Sequence, residues 1–253
     1  MSSTASTIRR LAVPAPVLLV ALASWIGVIA IARKMEAMPA TMGLGLAPFT
    51  AMWTLMMAAM MLPSIVPFAS LYVQTFGDAR GWRLLSLMSG YLFVWTLPAL
   101  PAYAFAWWAD LAAVTQPFVT VAIAVVTLTA CGIYQLTPYK AQCLKRCRSP
   151  LSDAFKYAAL RGRLRDFRVG ASHGLHCLGC CWALMALMLS FGLMNVTAMV
   201  ALTAVCAIEK IWSRGPQFGR LIGVGALAMA AMVAVNPALA TWLHSTLTVC
   251  ASP

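Results

Sequence analysis

Charge is what this sequence most lacks. Only 9% of its 253 residues are charged, with six Asp and Glu in all, against about 25% charged residues in a soluble domain. Six stretches carry no Asp, Glu, Lys or Arg: 11–32, 37–77, 84–109, 111–139, 169–208 and 221–253. Such a chain is not a soluble globular protein. Histidine is scarcer still, at three residues. The sequence shows no serine–histidine–acid set, no phosphate-cradling glycine loop and no paired carboxylates, which argues against hydrolases and nucleotide-driven pumps. No internal repeat divides the chain, so residues 1–253 read as a single integral membrane domain.

What is there is apolar: 62% of the residues are hydrophobic, and the mean hydropathy is +0.85. A helix crosses a bilayer with roughly 20 apolar residues, and the uncharged stretches are long enough to supply such helices. The fold expected is all-α, a polytopic transmembrane bundle of about seven helices, at 11–32, 48–73, 84–109, 116–136, 172–194, 196–212 and 220–242. The break between the fifth and sixth is the weakest, resting on Gly192 and Asn195; six helices with one re-entrant member is the alternative. The opening, with its basic start and apolar run, has features of a signal sequence. The run continues to Ala32, so it reads as a retained first helix.

The net charge of +12 sits in the connections, which points to lipid head groups and leaves nucleic acid and nucleotide as partners without support. Basic residues collect on the cytoplasmic side of membrane proteins. With the N-terminus inside, 16 of the 18 Lys and Arg fall inside and only Arg33 and Lys34 outside. The expected place is therefore a bacterial inner (cytoplasmic) membrane, crossed several times, with the C-terminus outside. The segment 137–170 is then a basic cytoplasmic loop.

Cysteine numbers eight, and five lie at or near that inner face, where thiols stay reduced. A disulfide framework is not expected there. In "HGLHCLGCCWALMALM" the residues His173, His176, Cys177, Cys180 and Cys181 stand at i, i+3, i+4, i+7 and i+8. At 3.6 residues per turn they share one helix face. Met185 and Met188 continue that side. Thiol, imidazole and thioether donors suit Cu(I), Zn(II) and iron rather than Mg or Ca. A single buried Cys is usually packing; five donors on one face favour a metal.

Upstream, "PYKAQCLKRCRSP" places Cys143 and Cys147 four apart, neighbours on one face if the segment is helical. Its basic residues are expected to favour the thiolate form that metals require. In "MWTLMMAAMMLPSIVPF", Met52, Met56 and Met60 share a face and form a possible path for a soft ion, although Met also fills cores. Pro63 and Pro67 are expected to kink or break that helix. Glu209, one turn after Cys206, is a carboxylate near a membrane end, either functional or simply meeting water or paired with a basic loop. His244 and Cys250 stand apart from all of these.

The segments "MMAAMMLPS", "GIYQLTPYKAQCLKRCRSP", "HGLHCLGCCWALMALM" and "IEK" together resemble a bacterial family of predicted metal-binding integral membrane proteins, over about Met52 to Gly225. The resemblance implies metal binding and no particular reaction. Members usually carry Tyr or a similar residue where this chain has His176, which implies that this histidine is a dispensable extra. The favoured function is soft-metal handling, copper first as Cu(I) and Zn(II) second, in delivery, export or metalloenzyme assembly. Its partners are then the lipid bilayer and a metallochaperone or metalloenzyme. The alternatives are a membrane thiol oxidoreductase or metal-dependent oxidase subunit built on the Cys cluster, and a structural zinc site.

Overall fold

The computed structural model describes residues 14–33, 41, 43–75, 80–115, 118–148, 164–193 and 195–236. His244 and Cys250 lie outside them, as does most of the segment between 148 and 165. Among the described residues the structure is all helical. Its elements are α1 (Pro14–Ala32), α2 (Leu46–Thr75), α3 (Arg80–Thr96), α4 (Ala99–Thr115), α5 (Val119–Leu136), α6 (Pro138–Arg148), α7 (Arg165–Ala186), α8 (Met188–Phe191), α9 (Val196–Ile211) and α10 (Gly215–Val235).

Local chemistry sets most of the boundaries. Pro138 begins α6 and Pro216 sits in the first turn of α10, where a missing N–H costs nothing. Between α8 and α9, Gly192 takes a positive φ of 88°, which a side chain would disfavour. Asn195 then caps α9, its side chain accepting from Ala198 N at 3.0 Å. The break that looked weakest in sequence is thus a real turn. Pro63 and Pro67, in contrast, both lie inside one continuous α2.

Four segments are long and apolar enough to cross a membrane: Ala15–Ala32, Leu46–Tyr72, Gly81–Leu111 and Gly215–Val235. The pair α5 and α6, bent by 66°, is a fifth if taken as one broken span. The other two helices that the sequence suggested are different in kind. α9 has 16 residues, and α7 begins with Arg165, Asp166 and Arg168. Large apolar side chains such as Leu22, Trp107, Val126, Leu221 and Val235 are exposed, a surface compatible with lipid.

Inside, α3 and α7 pack along most of their length, as do α5 with α10 and α1 with α2. The first pair seats the candidate site. A Cβ on Gly170 would stand 2.0 Å from Leu87 O, and one on Gly90 2.0 Å from Phe167 O. Only glycine permits that backbone approach.

Candidate metal centre

The buried face of α7 is Val169, Gly170, His173, Gly174, Cys177, Cys180, Cys181, Ala183, Leu184 and Met185. These residues recur every three or four positions, so one stripe faces the bundle while Leu175 and Trp182 project outward, both exposed. Three sulfurs converge on this stripe. The Sγ atoms of Cys177, Cys180 and Cys181 all lie within 4.8 Å of one another, and each residue is buried. The Cys180 and Cys181 sulfurs are 3.3 Å apart. Cys180 also donates to Cys177 O at 3.2 Å, which holds its side chain along the helix. A cluster of that size could hold one soft ion.

Other helices complete the surroundings. From α3, the Tyr91 hydroxyl lies 2.9 Å from Cys177 Sγ and donates to Met61 O of α2 at 3.2 Å. From α9, Lys210 Nζ donates to Cys177 Sγ at 2.9 Å and to Ser64 Oγ of α2 at 3.1 Å. Cys206, one turn earlier on α9, is buried and interacts with Cys181. From α5, the Tyr134 hydroxyl donates to Gly179 O beside the cluster.

α6 folds back onto α7 after the 66° bend at Thr137, and its two cysteines take different places. Cys147, half-buried, sits 3.8 Å from Cys180, sulfur to sulfur. Cys143 packs on the backbone, its Sγ 2.9 Å from where a Gly179 Cβ would be. α6 itself is too polar to be a span, with Lys145 and Arg146 exposed. The expectation that its basic residues favour the thiolate fails at Cys143. Burial pushes that thiol up from its ordinary value and outweighs Arg146, which acts the other way.

The histidines do not join the sulfur set. His173 is buried with its ring stacked on Phe68, centroids 4.1 Å apart and planes 6° apart. His176 is half-buried on the flank of the stripe. Met52, Met56, Met60, Met185 and Met188 are all buried in the common core.

Glu209 is fully buried and paired. Lys140 Nζ reaches its two carboxylate oxygens at 2.7 and 2.8 Å, and Gln135 Nε2 donates to one of them at 3.2 Å. Arg148 donates to Glu209 O at 2.7 Å, satisfying a carbonyl in the last turn of α9 that has no helical partner. α10 closes over this network at Gly219, where a Cβ would lie 2.8 Å from Glu209 Oε1. Of the roles open to Glu209 in sequence, pairing with the basic segment is the one the structure displays. The network fixes α6 against α9, and so Cys147 and Lys210 against the sulfurs.

Tyr91, Ser64 and Lys210 were not legible as site residues. The signal available was a lysine one turn after Cys206 in an otherwise apolar helix, which reads equally well as an orienting charge.

Neither a curated protein nor a solved structure matches the chain. A family model described as PpoB2, copper chaperone, matches residues 50–233. That stretch runs from the first turns of α2 to the last turn of α10 and contains every member of the thiol cluster. Metal handling, which the sequence motifs imply, is also what that description names. By this match over most of its length, the chain belongs to the PpoB2 copper chaperone family.

Proposed function

We propose that this protein binds Cu(I) at Cys177, Cys180 and Cys181 within a membrane-embedded bundle and passes it to a partner protein. The observation that carries this reading is the convergence of three buried sulfurs within 4.8 Å. Thiol donors suit a soft ion, and three of them within 4.8 Å are enough for one of low coordination number. Copper as the cargo is supported by the family to which the chain belongs.

Cys147, the half-buried member, stands at the edge of the cluster, 3.8 Å from Cys180, and is the sulfur at which exchange with a partner's thiol would begin. Cargo moves by ligand exchange: a Cu–S bond to Cys147 or to the partner forms as one within the cluster breaks. The oxidation state of copper does not change, and the incoming thiol's proton passes to the thiolate that is released. Cys143, packed on Gly179, supports this arrangement from behind. Met185 and Met188, with Met52, Met56 and Met60, offer weaker thioether donors deeper in the core. His173 and His176 serve as flanking groups. The partner is a soluble metallochaperone or a metalloenzyme under assembly. The membrane is the bacterial inner membrane, with the N-terminus and the basic segment on the cytoplasmic side, as the 16-to-2 distribution of Lys and Arg favours.

The test is Cu(I) stoichiometry in the detergent-purified, reduced chain. Cys→Ser changes at 177, 180 and 181 are each expected to abolish stoichiometric binding, and Leu178→Ala to spare it. A triple Cys→Ser chain that holds as much copper as the parent would make the sulfurs packing residues. If the parent binds no metal but cycles a Cys147–Cys180 disulfide with added oxidant, the dithiol reading replaces this one.

A further inference from the structure

Lys210 stands in the last turn of α9, with its neighbour Glu209 turned away into the ion pair with Lys140. Its own ammonium goes to a sulfur and a hydroxyl, Cys177 Sγ at 2.9 Å and Ser64 Oγ at 3.1 Å. Ser64 is itself fixed, donating to Met61 O at 2.8 Å. Tyr91 braces the same place, at 2.9 Å from Cys177 Sγ and 3.2 Å from Met61 O. A flexible four-carbon side chain is thereby held by α2 and α7 with its positive charge against one edge of the sulfur cluster.

We propose that Lys210 is a specificity-determining residue, a fixed positive charge that makes the three-sulfur site prefer a monovalent over a divalent soft ion. The inference rests on the thiol-site reading above. Nζ is 2.9 Å from Cys177 Sγ, so an ion bonded to that sulfur at about 2.3 Å would lie within about 5 Å of Nζ, and its repulsion by the ammonium scales with the ion's own charge. A divalent ion is therefore penalised twice as much as a monovalent one. Loss of thiol protons enters both affinities and drops out of their ratio when the same sulfurs bind both ions. With an effective dielectric of about 20, one extra unit of charge at that distance changes the ratio by about 10- to 100-fold once local relaxation is allowed. The ammonium also balances part of the negative charge that thiolates bring into an apolar interior, so it does not simply oppose binding.

The experiment measures Cu(I) and Zn(II) affinities of the full chain in detergent, under reducing and anaerobic conditions, each by competition with a chromophoric chelator. Lys210→Gln keeps a polar donor and removes the charge; it is expected to move the Zn(II)/Cu(I) affinity ratio toward zinc by about 10- to 100-fold. Lys210→Arg keeps the charge and is expected to stay near the parent ratio. A Lys210→Gln ratio equal to the parent's, or an equal shift in both variants, overturns the proposal. If the glutamine variant does not purify folded, Ser64→Ala removes the anchor on α2. It is then expected to shift the ratio a few-fold in the same direction, and an unmoved ratio overturns the proposal. A parent chain that binds neither ion overturns the thiol-site reading and this one with it, whereas normal Cu(I) binding with an unmoved ratio overturns this one alone.

Discussion

Replacing Glu209 by Gln removes one half of an ion pair whose side chains are only 3% and 1% exposed. The Lys140 ammonium then stays in the interior with no carboxylate. Breaking a buried pair from one side costs about 3–5 kcal/mol, because the remaining charge is desolvated without compensation. For a chain of this size each kcal/mol lowers Tm by about 2–4 °C, so the midpoint is expected to fall by about 6–20 °C. Thermal unfolding in detergent, followed by tryptophan fluorescence, reads this directly. The double variant Lys140→Met/Glu209→Met supplies the control. It removes both charges at similar volume, which is commonly neutral or stabilising, so it is expected to recover most of the loss. Because the pair ties α6 to α9, Glu209→Gln is also expected to free Cys147 from Cys180 and raise its rate of alkylation. A midpoint within about 2 °C of the parent would refute the reasoning. So would a double variant that melts as low as the single one.

Gly170→Ala is expected to lower Tm, because the new methyl would lie 2.0 Å from Leu87 O and must separate α3 from α7; overpacking of this kind costs about 1–3 kcal/mol or more. An unchanged melt would show that the two helices part freely. His173→Ala removes a ring stacked at 4.1 Å on Phe68, so stability is expected to drop while Cu(I) stoichiometry holds; lost copper would make His173 a ligand. Cys147→Ser is expected to leave bound copper in place and to slow its transfer to a competing chelator by about tenfold, the low end of effects seen for groups that support a metal site. Equal transfer rates would make Cys147 a bystander. Reporter fusions at Trp108 are expected to read external and at Arg148 cytoplasmic, and the reverse pattern would overturn the orientation.

Two features were within reach of the sequence because they are local. Long uncharged runs determine helices, since the polar backbone under apolar side chains must bond to itself where water is absent. The spacing of residues 173 to 181 determines that Cys177, Cys180 and Cys181 share a face, since 3.6 residues make a turn. Asn195 announced a cap and Gly192 a turn for equally local reasons.

Only the tertiary structure decided what surrounds that face. Residue spacing made His173 look like a fourth donor; packing turned its ring onto Phe68, 105 positions away in the chain, instead of into the sulfur set. Cys143 and Cys147 looked equivalent, and the bend at Thr137 brought one sulfur to Cys180 and set the other on Gly179. Tyr91 and Lys210 reach Cys177 across 86 and 33 residues, and Lys210 reaches Ser64 across 146. No periodicity within one helix encodes such pairings. They follow from which faces of different helices lose their apolar surface to one another, from glycines such as Gly90 and Gly170 that let backbones approach closely, and from Gly219, which leaves room for the Glu209 carboxylate. The sulfurs were legible because one helix carries them. The charge beside them was not, because its position is a property of the packed bundle.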